Sequence, residues 1–181
     1  VVAFQRMAAG MNVFALMAIP FFIYAGELMN QSGIAERLVR FAHSLLARVR
    51  GGLGLVNVTS SMMFGAISGS AVASASAMGS TLIPMMRAQG YDADYAVNVT
   101  ATAATTGLLI PPSHNMIIYA VAAGGGVSIG SLFLAGIVPG LLLGLGLMAV
   151  TYLVAIKRGY ASGDFPGWSQ VLKDFSNALP G

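Results

Sequence analysis

Residues 65–86 read GAISGSAVASASAMGSTLIPMM, a charge-free run in which Ser68–Ser70 interrupts an otherwise helical, apolar pattern. The approach to this interruption, residues 51–66, covers about 24 Å as a helix and falls short of a full bilayer crossing. The arm after it is equally short and ends in a polar turn beginning at Arg87. Irregular backbone is tolerated at membrane depth only where it is buried or lines a cavity. The pattern therefore predicts a re-entrant helical hairpin.

A second interruption lies in residues 95–125, where a helical pattern stops at Ile110–Ser113 (IPPS) and resumes at His114. Two consecutive prolines remove two backbone donors and leave carbonyls of the preceding turn without partners. This segment is predicted to be a broken helix.

The composition places the chain in the membrane class. Of its 181 residues 56% are hydrophobic and only 8% are charged, whereas soluble domains carry about 25% charged residues. Residues 51–86 and 95–156 contain no Asp, Glu, Lys or Arg at all. The net charge of +3 comes from short basic segments between apolar stretches, which favours cytoplasmic loops beside anionic lipid over a nucleic-acid partner. The absence of cysteine excludes disulfides and thiolate metal sites.

The flanking segments predict further helices. Residues 7–29 are long enough to cross a bilayer. Residues 33–50 have apolar side chains at helical spacing among basic ones, which predicts an amphipathic helix at the membrane surface or, alternatively, a solvated connecting helix. Residues 128–156 form a crossing helix, and the polar segment after it is a surface arm. Ser32 and Ser128 are predicted N-caps. The glycines at every fourth position, Gly136, Gly140 and Gly144, predict a closely packed face.

One topology is consistent with the charges. With residues 33–50 on the cytoplasmic side, a re-entrant hairpin and two crossings leave eight of the nine basic residues inside. Only Arg6 lies near the opposite face, as the positive-inside rule prefers. The chain starts with Val-Val-Ala and shows no signal peptide, so we expect it to be a piece of a longer protein.

The two interruptions are also the predicted binding sites. A discontinuous membrane helix exposes carbonyls at one half and N–H groups at the other, which transporters use for cations and anionic substrates. The oxygen-bearing residues at the two interruptions are Ser68, Gly69 and Ser70 in the first and Thr105, Thr106, Gly107, Pro111, Pro112, Ser113 and Asn115 in the second. The alternative is that these small residues only allow helices to cross and pack closely.

Three segments together resemble a known family. They are residues 65–86, residues 105–125 (TTGLLIPPSHNMIIYAVAAGG) and residues 127–143 (VSIGSLFLAGIVPGLLL). In this order they are similar to the first half of the large, translocating membrane subunit of TRAP (tripartite ATP-independent periplasmic) transporters. The resemblance covers roughly residues 7–160.

The resemblance implies an all-α integral membrane protein with an ion-transporter-like fold, of which this chain is the N-terminal of two inverted repeats. It divides the chain into a scaffold helix with an amphipathic interfacial arm (1–50), half of a transport domain (51–127), and a transmembrane helix with a following amphipathic segment (128–181). It also implies elevator-type, sodium-coupled import of small organic acids, C4-dicarboxylates or similar carboxylates, across the bacterial inner membrane by a multi-pass protein.

The resemblance implies site residues and partners as well. The sodium ligands would be Ser68, Gly69, Ser70, Thr106, Gly107, Pro111, Pro112 and Ser113. The substrate contacts would be Ser70, Ser113, His114 and Asn115. No cofactor or other metal is expected beyond the coupling Na⁺. The expected partners are a small membrane subunit, a periplasmic substrate-binding protein and the lipid bilayer. The second hairpin and second broken helix are missing from this sequence, so we expect the chain alone not to transport.

Two other functions compete with transport. An intramembrane serine hydrolase would pair Ser68 or Ser70 with His114, but the serines fit a nucleophile motif only loosely. A channel or structural membrane component would show a repeated pore-lining pattern in place of two interrupted helices. We expect the His114 side chain to be packed and hydrogen-bonded. We expect Glu27 to lie at the membrane interface, at the end of a helix.

Overall fold

The computed structural model describes residues 31–124, 126–163 and 167–178, together with residues 2, 3, 5, 20, 21, 24, 25, 27 and 28. The helices are α1 (Ile34–Leu46), α2 (Gly52–Ser68), α3 (Ala71–Ala88), α4 (Ala93–Ala104), α5 (His114–Ala122), α6 (Ile129–Lys157) and α7 (Trp168–Ala178). A short 3-10 turn, Thr105–Leu108, follows α4 directly. In this part of the chain the regular elements are all helical, as expected. The predicted helix at 7–29 lies mostly outside the described residues.

The structure confirms one of the two predicted N-caps and contradicts the other. The Ser128 hydroxyl accepts a hydrogen bond from the Ser131 N–H at 3.4 Å and caps α6, as predicted. The prediction for Ser32 is wrong, because α1 is preceded by Gly33 with φ of 77° and no side-chain cap. Glycine adopts this left-handed conformation at little cost, and the helix therefore starts one residue later than a serine cap would place it.

The start of α2, the turn between α3 and α4, and the end of α6 lie at the same end of the molecule. The Gly51 N–H donates to the Ala161 carbonyl at 3.3 Å, and the Gly163 N–H donates to Ala47 at 2.9 Å. Arg158 pairs with Asp92 in the turn before α4. The hairpin formed by α2 and α3 therefore starts and finishes at one end of the bundle, and α2 and α4 run parallel away from it.

Arg158 holds this end together. Its guanidinium contacts Asp92 at 2.8 Å and Asp94 at 2.9 Å, and the Tyr160 hydroxyl donates to Asp92 at 2.7 Å. The Tyr160 hydroxyl and the guanidinium lower the pKa of Asp92, and hydrogen bonds from Arg158 lower the pKa of Asp94. Reciprocally, these partners raise the pKa of Arg158.

We expect Arg158→Gln to lower the melting temperature at neutral pH by a few degrees. Each folded-state carboxyl pKa lies below its ordinary value of 3.8, so this stabilisation is present above pH 3.8 and is lost as the pH falls through the lowered values. The melting gap between wild type and variant should close in acid, and should narrow in choline chloride, which screens exposed ion pairs. Lys157→Gln, which removes the neighbouring cation, is the matched control. A gap unchanged by both acid and salt would contradict the ion-pair account.

Helix α6 has two faces that differ in what they contact. Among the described residues it is the one helix long and apolar enough to cross a membrane by length and composition. Its buried face consists of Gly136, Gly140, Gly144, Thr151 and Ala155. Its exposed face carries large apolar side chains that are at least 60% exposed, namely Leu134, Val138, Leu142, Leu145 and Leu153. The glycine spacing thus marks the packed face, as predicted, and the exposed apolar face suits lipid.

The glycine face of α6 packs directly on the helix interruption. A Cβ added at Gly140 would lie 2.8 Å from Ile110 Cγ1 and 3.4 Å from the Ile110 backbone nitrogen. At Gly136 it would lie 2.5 Å from the Leu109 carbonyl oxygen. The close approach therefore requires glycine, and α6 supports the backbone between α4 and α5.

We expect Gly140→Val to destabilise the protein by about 1–3 kcal/mol, because overpacking at a close helix contact forces backbone shifts. Gly146→Val is the matched control on the same helix, since nothing lies within 4 Å of a Cβ added at Gly146. Thermal melting of the purified full-length protein measures both. Equal losses in the two variants would show that helix propensity, not packing, controls stability here.

Helix α1 is amphipathic, as predicted, but its apolar face is covered by protein. Ile34, Leu38, Val39 and Ala42 share a core with side chains of α2 and α3. Phe41 of the same helix instead packs on Phe175 of α7, with ring centroids 5.5 Å apart. The sequence identified the amphipathic helix, and its location at the membrane surface stays a prediction.

Candidate cation and substrate site at two helix interruptions

The first interruption is a two-residue joint between α2 and α3. Helix α2 ends at Ser68 and is capped by Gly69, whose φ of 62° is left-handed and whose N–H donates to the Gly65 carbonyl. Ser70 is extended, and its hydroxyl accepts from the Ala73 N–H at 3.3 Å to cap α3. The Ser70 N–H donates to the Ser68 hydroxyl at 3.4 Å. The Ser-Gly-Ser run thus ends one helix and starts the next, as its composition predicted.

The second interruption is longer. Helix α4 tightens into the 3-10 turn, where the Thr106 carbonyl accepts from the N–H groups of Leu109 and Ile110, both at 3.0 Å. The Ser113 hydroxyl donates to the Leu108 carbonyl at 2.7 Å, and α5 begins at His114. Pro111 and Pro112 have no N–H and cannot continue the ladder. The predicted break in the helix is confirmed.

The two interruptions contact each other through backbone atoms. A Cβ added at Gly69 would collide with the Pro112 carbonyl oxygen and lie 3.4 Å from Ser113 Cα. One turn earlier, a Cβ added at Gly65 would lie 2.6 Å from Gly107 Cα. Glycine at these positions lets the hairpin tip sit directly on the break in the neighbouring helix. Segments about forty residues apart in sequence thus form one site.

Most of the predicted ligands lie in this contact region. Ser68, Gly69, Thr106, Gly107 and Ser113 are buried. Ser70, Pro111, Pro112 and His114 are partly buried, whereas Thr105 and Asn115 are exposed. The structure therefore brings the last turn of α2 against Thr106–Gly107 and the hairpin tip against Pro112–Ser113, and it leaves Asn115 exposed in the first turn of α5.

The hydroxyl groups in this region are oriented in a way that suits a cation. The Ser113 proton is donated to Leu108 and the Thr106 proton to the Ala103 carbonyl at 2.7 Å. A hydroxyl that has committed its proton still offers lone pairs. The C-terminal end of α2 adds carbonyls, and the N-terminal ends of α3 and α5 add positive dipole ends that favour anions. Within the described residues no cluster of three His, Cys, Asp or Glu side chains could hold a metal.

Sequence reasoning missed the residues that hold the interruptions together. Gly65 is not among the predicted site residues, although its close contact with Gly107 is what lets the helices approach. Asn57 is fully buried and bonded to Thr100. A signal for Asn57 existed, because an amide within a charge-free apolar stretch needs a buried partner.

The tip of a helical hairpin therefore meets the break in a neighbouring helix, and secondary transporters are the class of membrane protein that places its sites at such discontinuities. A family model described as "Tripartite ATP-independent periplasmic transporter, DctM component" matches residues 1–180. The chain belongs to this family of TRAP transporter large permeases, a membrane permease family and not an enzyme family.

Named relatives support the assignment. The sialic acid TRAP transporter large permease SiaM of Vibrio cholerae is 45% identical over 87% of this chain and 36% of its own length. The C4-dicarboxylate TRAP transporter large permease DctM of the same species is 43% identical over 88% of the chain and 35% of its own length. The isethionate TRAP transporter permease DctMQ of Oleidesulfovibrio alaskensis is 45% identical over 86% of the chain and 24% of its length. The chain thus spans well under half of the length of each of these relatives.

Proposed function

We propose that this chain forms one half of the translocation path of a sodium-coupled importer of small organic anions. The observation that supports the proposal most directly is the contact of Gly69 at the hairpin tip with Pro112 and Ser113 at the helix break. This contact concentrates backbone carbonyls and proton-committed hydroxyls where a dehydrated cation requires oxygen ligands. Na⁺ is the coupling ion in the proposal, and Ser68, Ser70, Thr106 and Pro111 complete its surroundings.

The fold supports a re-entrant hairpin in the membrane. Both ends of the α2–α3 hairpin lie beside the end of α6. Helix α2 has 17 residues, about 26 Å of helix, which is shorter than a hydrocarbon core of about 30 Å. In the proposed multi-pass topology, in the bacterial inner membrane, α6 crosses completely and the hairpin returns to its own side. Because the glycine face of α6 packs on the helix break, we place α6 in the body that moves with the site.

The substrate and partners are proposed from the family. The named relatives are described as permeases for sialic acid, C4-dicarboxylates and isethionate, all of which are organic anions. Helix α5 starts at His114 and helix α3 starts just after Ser70. The positive N-terminal end of each helix dipole suits a carboxylate or similar anionic group. A small membrane subunit and a periplasmic binding protein are the proposed partners. A second, inverted repeat would complete the pocket and allow elevator-type movement.

Uptake by the full-length protein tests this function. The permease, its small subunit and its binding protein would be reconstituted in liposomes with labelled succinate, sialic acid or isethionate. We expect uptake of one anion to require an inward Na⁺ gradient and the binding protein. Equal uptake with choline in place of Na⁺ would exclude sodium coupling, and uptake without the binding protein would exclude the TRAP mechanism.

We expect Ser70→Ala to raise the Na⁺ concentration for half-maximal uptake several-fold, because it deletes an oxygen at the site. It also deletes an N-cap, which costs about 1 kcal/mol of stability by itself. Ser128→Ala is the matched control, since Ser128 caps α6 with a comparable hydrogen bond outside the site. If both variants lose stability alike and neither changes the sodium dependence, Ser70 is only a cap.

A further inference from the structure

A buried hydrogen-bond network links the hairpin to the broken helix below the site. The Asn57 amide donates to the Thr100 hydroxyl at 2.6 Å, which in turn donates to the Ala96 carbonyl at 2.8 Å. The Ser61 hydroxyl donates to the Asn57 side-chain oxygen Oδ1 at 3.4 Å, and the Ser74 hydroxyl donates to the Ser61 backbone carbonyl at 3.4 Å. All of these side chains are at least 97% buried. Asn57 therefore connects α2, α3 and α4.

Asn57 and Thr100 form one rung in a ladder of contacts along two parallel helices. Nearer the start of both helices, a Cβ at Gly54 would lie 2.6 Å from the Tyr95 hydroxyl. Beyond Asn57, the next rungs are Gly65 against Gly107 and then Gly69 against Pro112. From Asn57 to Gly65 is about 12 Å along a helix, and from Thr100 to Gly107 is a similar length. The paired residues therefore lie at matching heights along the two helices.

The Asn57 rung differs from the glycine rungs in being directional. Glycine contacts permit a close approach, but apolar helices in lipid gain little from one axial register over the next, because lipid is as apolar as their side chains. A buried amide has a strong preference for one partner, as a single buried Asn selects register in coiled coils. A shift of either helix by one residue would separate the amide from Thr100 and leave both polar groups buried without this bond.

We propose that Asn57 is a positioning residue for the cation site, fixing the axial register of α2 against α4 and hence the way the hairpin tip meets the helix break. The inference rests on the proposed sodium coupling. It goes beyond that proposal, because Asn57 lies three helical turns, about 18 Å along α2, from the hairpin tip, too far to reach an ion bound there. Its carboxamide acts through the backbone of α2, so its loss changes the geometry of the carbonyls at the site.

The test measures the melting temperature of the purified full-length permease as NaCl replaces choline chloride at constant ionic strength. The wild type should show a Na⁺-dependent rise with a defined midpoint. We expect Asn57→Leu, which preserves volume but removes the amide, to raise this midpoint about threefold or more. Thr100→Val should do the same, whereas Thr100→Ser, which retains the hydroxyl acceptor, should stay close to wild type.

Ser60→Ala provides the matched control. Ser60 is on the same helix, is completely buried, and its hydroxyl makes no hydrogen bond among the described residues, so its loss should leave the Na⁺ midpoint unchanged. A lower melting temperature in choline with an unchanged midpoint in Asn57→Leu would overturn the proposal and make the network a stabilising contact only. If Asn57→Leu does not fold, the contrast between Thr100→Val and Thr100→Ser decides. A wild type without any Na⁺ response would instead refute sodium coupling itself.

Discussion

Replacing Gly69 with alanine should reduce Na⁺-dependent uptake by the full-length transporter at least about tenfold, which corresponds to 1.4 kcal/mol. Two costs contribute. Alanine at a φ of 62° is disfavoured by about 1–2 kcal/mol, and its Cβ would collide with the Pro112 carbonyl oxygen and lie 3.2 Å from the Pro112 carbonyl carbon. Because these atoms are backbone, no side chain can rotate away, and the hairpin tip must separate from the helix break.

Gly90→Ala separates the two costs. Gly90 has a similar left-handed φ of 82°, but nothing lies within 4 Å of a Cβ added there. It should lose stability without losing sodium-dependent uptake. Uptake is normalised to the folded fraction measured by size-exclusion chromatography, so that poor folding is not mistaken for a damaged site. If Gly69→Ala and Gly90→Ala behave alike, the contact between tip and break has no role in transport.

The sequence predicted those features that arise from local backbone chemistry. The Pro111-Pro112 pair removes two successive N–H donors from a helix, and the Ser68–Ser70 run joins a glycine that tolerates a left-handed φ to a serine that can cap the next helix. The glycine repeat on α6 was equally accessible, since a four-residue spacing places small residues on one helix face. These signals were sufficient for the helical class, for both interruptions and for most of the residues around the site.

Contacts between distant segments were not predictable in the same way. The meeting of Gly65 with Gly107 depends on how α2 lies against α4, and no local pattern specifies this register. The same holds for Asn57 and Thr100. The face of α1 containing Ile34 shows a related limit: amphipathicity indicates a buried side, but it does not say whether lipid or protein covers it. Protein covers it here.

Replacing Pro111-Pro112 with Ala-Ala should abolish Na⁺-dependent uptake while leaving membrane insertion intact. The substitution restores two N–H donors and removes the ring clash with the preceding turn, so α4 and α5 can join through residues 109–113. A continuous helix would withdraw the Leu108 carbonyl and the Ser113 hydroxyl, which bond each other at 2.7 Å, from the site. Uptake and Na⁺-dependent melting should both fall to the background seen in choline, and far-ultraviolet circular dichroism should show a small gain in helix.

Pro84→Ala is the control for this substitution. Pro84 lies inside α3, which continues past it without interruption, and its side chain is exposed. Removing it improves helix propensity without joining two helices, so uptake should be retained. The comparison isolates the effect of the interruption from that of proline in general. Retained uptake with unaltered sodium dependence in the Ala-Ala variant would mean that the open backbone at this break does not bind the coupling ion, because the carbonyls it exposes would then be dispensable.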